Sequence, residues 1–353
     1  MKTLPLPDFY APSNAAQWSY APCAAQLASA AALWRRLHGV QPSASDTFRA
    51  LLLLIDEQKD FCFPQGNLYV GGRSGDGAVQ DSRRLVEFIY HHLELLTEIT
   101  CTMDSHLPFQ VFFAPFWIDA EGGPVAPYRE LLLEELERGA IRPSPAIAGW
   151  LCGGDEAWLL SQVKHYCAEL ERVGKYRLYL WPPHCLLGSE GQTLVGVVQE
   201  ARLFHAYVRY APARIESKGN LALSENYSVF SPEVLTVFDG AELAQRNHAL
   251  FEQVLSFDAV IIAGQAASHC VKSSVDDLLS EVMRRDPALA ARLYVLTDCM
   301  SSVAIPDGGG GFVADFTPHA ERAFQQWAEA GVHLVSSDLP MAQWPGALGA
   351  RQR

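Results

Sequence analysis

Short apolar runs alternate with amphipathic stretches along most of this chain, and that alternation restricts its fold more than any other feature. The runs lie at 51–55, 99–103, 176–180, 258–263, 292–297 and 332–335, with a further extended segment at 213–217. Between them, residues 78–97, 192–209, 240–256, 268–285 and 316–330 carry helical periodicity. Near-continuous apolar runs are the mark of strands buried on both faces, and intervening amphipathic helices supply the crossovers that parallel strands need. The expectation is a parallel α/β sheet covered on both sides.

Three strand ends carry candidate chemistry. In VIIAGQAASHC (260–270), Gly264 breaks the strand and Cys270 opens a helical pattern with Val271, Val275, Leu278, Leu279 and Val282 on one face. A cysteine in the first helical turn meets free N–H groups and the positive dipole end, which favour thiolate; the alternative is a small buried apolar residue. Leu51–Ile55 runs straight into Asp56, and Lys218 stands beside Gly219 after the segment 213–217. An acid, a lysine and a cysteine at the carboxyl ends of strands make a nucleophile with a base and a charge partner. Taken singly, Asp56 could cap a turn and Lys218 could be a solvated charge. In TMDSHLP (102–108), Asp104 and His106 are two apart, so on an extended segment both can face one cation.

The blocks DEQKDF, SKG and GQAASHCV resemble the catalytic blocks of the isochorismatase-like cysteine hydrolases, nicotinamidases above all, in the family's order of Asp, Lys and Cys. The resemblance implies a Rossmann-like three-layer α/β/α sandwich with a six-stranded parallel sheet. It implies a triad of Asp56, Lys218 and Cys270, a cis peptide between Gln265 and Ala266, and an oxyanion hole from the N–H groups of Ala266 and Cys270. WPPHCLLGSEG (181–191) resembles the family's WPxHC block, which would add His184 to Asp104 and His106 as metal ligands. Two imidazoles and a carboxylate suit zinc, with iron or manganese as alternatives. Phe61 and Trp181 would sandwich the substrate ring. The implied activity is an amidohydrolase acting on linear amide C–N bonds: a small carboxamide, nicotinamide by analogy, is cleaved to acid and ammonia through a thioester. A metal-free amidase or isochorismatase-type hydrolase of the same superfamily is the alternative, followed by a non-catalytic binding relative.

The chain departs from compact members in two additions. Residues 1–48 form an N-terminal extension with a helix predicted to end at Gly39, and an insert at about 110–175 separates His106 from His184 by 78 positions. Gln110–Phe113 stands where some members carry a further histidine. The hydrolase domain is set at 49–340 and a tail at 341–353. The insert's stripes (Leu131, Leu132, Leu136 and Ile141; Trp158, Leu159, Val163 and Cys167) need a partner surface. They are expected near the pocket mouth as a lid or, preferably, as a contact in a homo-oligomer.

A formal charge of −13 and the lack of basic runs argue against nucleic acid as a partner. No apolar stretch approaches the roughly 20 residues of a membrane span, and MKTLPLPDFYAPSN lacks the apolar core of a secretory signal. Eight scattered cysteines without CxxC pairs read as reduced thiols, hence a cytoplasmic location. GGRSGDG (71–77) is expected to be a loop and GGGG (308–311) a turn. His91 and His92 are expected on a solvated face, and His269 is expected to point away from Cys270, with shaping the pocket or an interface as the alternative. Cys62 and Cys185 have no evident base.

Overall fold

The computed structural model describes residues 3–173 and 176–350. Its sheet is built from Ala50–Ile55 (β1), Glu98–Asp104 (β2), Ala213–Lys218 (β3), Ala259–Gly264 (β4), Leu293–Leu296 (β5) and His333–Val335 (β6). The order is β6-β5-β4-β1-β2-β3, and every pair is parallel. All six residues of β1 are buried. Its side chains alternate between two layers, as a strand's must: Leu52 and Leu54 join one core cluster, while Leu51, Leu53 and Ile55 join the other.

The longer helices are Ala24–His38 (α1), Gly77–His91 (α2), Glu156–Val173 (α3), Gly196–Arg209 (α4), His248–Leu255 (α5), Cys270–Arg285 (α6) and Thr317–Glu329 (α7). The first core cluster takes residues from α1, α2 and α4, and the second from α5, α6 and α7. This is the three-layer α/β/α arrangement expected. Among the described residues, no helix is long and apolar enough to cross a membrane. Residues 71–76 form the loop into α2, which Gly77 opens, and 308–311 the turn between the paired strands Ala304–Pro306 and Phe312–Asp315.

Several elements differ from the expectation. The apolar run 176–180 lies outside the sheet: Leu178–Leu180 pairs antiparallel with Arg129–Leu131 inside the insert. The sixth strand is instead β3, an edge strand with several exposed residues and so without an apolar run. The helix expected from 240 begins at His248, where the Asn247 side chain accepts from the Leu250 N–H at 3.0 Å. His92 is buried rather than solvated, and burial together with His91 pushes its pKa down to about 4. His91 bonds the Leu4 carbonyl at 2.7 Å.

Both additions are built into the core. On the extension, Leu27 and Ala31 of α1 are buried, and the hydroxyls of Tyr20 and Tyr90 both donate to Glu200. In the insert, Leu131, Leu136, Ile141, Leu159, Val163 and Cys167 are buried in the same cluster as Leu52 and Leu54. These six stripe residues are therefore covered within the chain, while Leu132 and Trp158 are half-buried. The C-terminal residues 341–350 pack as well, with Trp344 stacked on Phe88 at 5.6 Å.

Leu159→Ala should therefore destabilise the whole molecule as Leu53→Ala does, each by about 2–5 kcal/mol. Denaturant midpoints check this. A midpoint unchanged by Leu159→Ala, beside a lowered one for Leu53→Ala, would mark the insert as an independent flap.

Candidate functional site

Register brings the candidate residues to one edge of the sheet. Asp104 at the end of β2 pairs directly with Lys218 at the end of β3, and Ile55 pairs with Gly264. Asp56 follows Ile55 at φ 48°, in the left-handed turn that Asp tolerates better than most residues. Gly264 has φ 120°, and a Cβ there would lie 2.0 Å from the Ile55 carbonyl oxygen, so only glycine fits. The chain then passes through a cis peptide at Gln265–Ala266 and starts α6 at Cys270.

Lys218 is the hub. Its Nζ lies 2.5 Å from Asp104 Oδ1, 2.8 Å from Asp56 Oδ2 and 3.6 Å from Cys270 Sγ, and it donates to the Asn226 carbonyl at 2.8 Å. Asp56, Asp104 and Cys270 present ligand atoms within 4.8 Å of one another, and all are buried. Burial works against the lysine's charge, but Asp104, Asp56 and the Cys270 sulfur outweigh it and hold the ammonium well above its usual range. For Asp104, burial is overcome by Lys218 and His106, which keep it below the ordinary carboxylate range. Asp56 is raised by burial against the pull of Lys218, with Asp104 adding to the rise.

The thiol differs from the simple expectation of a helix-start thiolate. Burial lifts Cys270 well above its usual pKa; Lys218 opposes this, while Asp56 and Asp104 add to it. Burial thus favours the neutral form of the Cys270 thiol, against the pull of Lys218. Among the described residues, the backbone N–H groups of Ala266 and Cys270 donate to no carbonyl or side chain.

Asp104, His106 and His184 also converge, with ligand atoms within 4.8 Å of one another. Two parallel bridges, His106 to Leu186 and Phe113 to Trp181, tie the ends of the insert and close the 78-residue gap. The Nδ1 atoms of His106 and His184 lie 2.8 Å from the Gly219 carbonyl and 2.9 Å from the Pro182 carbonyl. Such bonds fix the tautomer and free both Nε2 atoms, which is how metal-ligating histidines are oriented. His106 Nε2 is buried without a hydrogen-bond partner and stands 3.5 Å from Asp104 Oδ2. Burial and neighbouring His106 push His184 down to about 3, so it is an uncharged donor. This donor set fits a transition ion. Gly219, at φ 86°, is required here because a Cβ would lie 2.5 Å from the His106 ring.

Phe61 and Trp181 line a small cavity with Leu68, Val70, His184, Glu225, Tyr227, Ala266 and Cys270. His269 lines it too, rather than pointing away: its ring is 5.3 Å from those of Trp181 and Tyr227. Several participants escaped the sequence reading. The Gln58 amide brackets Asp104, donating to its carbonyl and accepting from its N–H, both at 2.8 Å. Thr102 donates to Asp56 Oδ1 at 2.5 Å. Thr102 stands two positions before Asp104 in an extended strand, a spacing that could have found it. Tyr227 accepts from Trp181 Nε1 at 2.8 Å, and Glu225 is raised by burial to about 8; both lie in a loop with no sequence signal. Cys62, read as lacking a base, donates to Glu57 at 3.5 Å.

No family model matches the sequence, and no curated protein is significantly similar to it. Among solved structures, the chain is similar to the yeast nicotinamidase bound to the inhibitor nicotinaldehyde, at 17% identity and a TM-score of 0.48 over 81% of this chain and 99% of that one. It is similar to the Acinetobacter baumanii nicotinamidase and pyrazinamidase, at 17% identity and a TM-score of 0.47 over 83% and 99%. The pyrazinamidase of Pyrococcus horikoshii in complex with zinc gives 18% identity and a TM-score of 0.43 over 82% and 99%. Likeness at this level carries no weight for activity, which has to be read from the residues and distances above.

Because Lys218 lowers the Cys270 pKa, Lys218→Met should raise it further. Alkylation of Cys270 at fixed pH should then slow by about tenfold for each unit of rise, with the rate curve displaced to higher pH. An unmoved curve would show that the lysine does not govern the thiol.

Proposed function

We propose that this chain is a nicotinamidase-like amidohydrolase that cleaves a small carboxamide to acid and ammonia through a thioester on Cys270. The observation that carries this reading is the buried lysine held between Asp56 and Asp104 with its Nζ 3.6 Å from the Cys270 sulfur, at the wall of a cavity. A scaffold has no use for a charged lysine facing a thiol.

In this reading Asp56 takes the Cys270 proton as the sulfur attacks the amide carbon, so the buried thiolate is formed only as it is consumed. Lys218 balances the charge that moves between the two. The N–H groups of Ala266 and Cys270 receive the oxyanion; a donor of this kind is typically worth roughly 10²–10³ in rate. Asp56 returns its proton to the leaving nitrogen and ammonia departs, leaving a thioester. The same carboxylate then accepts a proton from water as the water attacks the thioester and passes it to the departing Cys270 sulfur, so the acid is released and the thiol restored. Phe61 and Trp181 hold the ring in place. Asp104, His106 and His184 would hold the metal, zinc by preference with iron or manganese possible, and when bound it supplies a Lewis-acidic point that orients a ring nitrogen. Acidic charge and free cysteines favour a cytoplasmic enzyme acting on a small molecule rather than nucleic acid or membrane. The second reading is a metal-free hydrolase of the same superfamily, separated from the first by metal content.

Cys270→Ala should abolish ammonia release from nicotinamide while keeping the circular-dichroism spectrum and melting temperature close to those of the parent. Continued release would remove the cysteine from the mechanism. The purified protein should carry close to one transition ion per chain. His184→Ala should lose that ion and lose turnover of a pyridine carboxamide far more than of an aliphatic amide. A protein that takes up no metal under any loading condition would favour the second reading.

A further inference from the structure

A second cavity adjoins the catalytic one and shares two of its walls, Tyr227 and His269. Its other walls include Tyr176 and Tyr179 from the region where the insert rejoins the fold, and Phe316 and His319 at the start of α7. The rings run on continuously. Trp181 lies 5.3 Å from His269 and His269 lies 4.7 Å from Phe316, while Phe316 lies 5.4 Å from Tyr179 and Tyr176 lies 5.1 Å from Tyr227. The charged groups in this cavity are matched, Lys272 to Asp276 at 2.6 Å and Arg177 to Glu130 at 3.3 Å. Burial, with His319 and Lys272 nearby, keeps His269 uncharged, its pKa pushed down to about 3. An aromatic chamber whose charges cancel suits an uncharged ring better than a carboxylate or phosphate tail.

We infer that this second cavity binds the distal part of the substrate, so that the preferred substrate is a primary carboxamide whose acyl group carries a second aromatic ring. The carboxamide end lies at Cys270, the first ring between Phe61 and Trp181, and the second ring passes Tyr227 and His269 into the chamber. This rests on the amidase reading above and goes beyond it in substrate class. The insert borders one side of the chamber: Glu130 belongs to it, and Tyr176 and Tyr179 follow directly on it, where Leu178–Leu180 pairs with Arg129–Leu131.

The test compares nicotinamide with nicotinamides bearing a phenyl or benzyl group at each free ring position. Both kcat/KM on the native enzyme and binding to the Cys270→Ala protein by calorimetry are read. At least one extended amide should exceed nicotinamide by about tenfold or more in both measures, a gain within reach of one well-packed ring. His319→Trp, which fills the chamber, should erase that gain while leaving nicotinamide turnover unchanged, and Tyr179→Ala should reduce it. Extended amides that all bind and react more weakly than nicotinamide would overturn the inference while leaving the amidase reading intact. Equal damage by His319→Trp to both substrates would overturn it too. Extended amides that bind to Cys270→Ala in a manner blocked by His319→Trp, with no amide ever hydrolysed, would keep the chamber's assignment and sink the amidase reading instead.

Discussion

One buried ammonium holds the site together. Lys218 lies between two carboxylates and a thiol, all removed from water. Burying such charges is costly, and breaking a buried pair by removing one partner typically costs about 3–5 kcal/mol, because the survivors are left uncompensated. The lysine therefore explains how Asp104 stays ionised under burial and why one of its oxygens remains to face His106. It also opposes the rise that burial gives the pKa of the Cys270 thiol. The proposed nucleophile and the proposed metal ligands are two halves of one charge network, joined at Asp104.

The fold holds that network by register. Parallel pairing of Asp104 with Lys218, and of Ile55 with Gly264, fixes the strand ends at one level. Gly264 and Gly219 allow close passages that any side chain would block, beside the Ile55 carbonyl and the His106 ring. The helix α3 then secures the loop carrying Glu225 and Tyr227: the Glu225 N–H donates to the Tyr166 hydroxyl at 3.2 Å, and the Phe238 N–H donates to Gln162 at 3.0 Å. The insert thus supports the cavity from behind and supplies part of the adjoining chamber.

The central strands were legible in the sequence because burial on both faces leaves an uninterrupted apolar run, as at 51–55 and 260–263. Edge strand β3 was only faintly visible, since several of its residues face solvent and its composition is mixed. Residues 176–180 misled for the opposite reason: Leu178 and Leu180 are buried, but under the insert rather than in the sheet. The convergence of Asp56, Lys218 and Cys270 and of Asp104, His106 and His184 was legible through the family resemblance of the short blocks that carry them. Gln58, Tyr227 and Glu225 were not, because their roles depend on tertiary neighbours 46 or more positions away for Gln58 and Tyr227 and on cavity shape for Glu225.

The central claim is covalent: during turnover the acyl group is carried by Cys270. Acid-quenching the enzyme with nicotinamide or an extended analogue, followed by peptide mass mapping, measures this directly. The account predicts an acyl mass on the peptide containing Cys270, absent from the other cysteines and lost on treatment with hydroxylamine. Steady hydrolysis with an unmodified Cys270 at every quench time, persisting in Cys270→Ala, would contradict it.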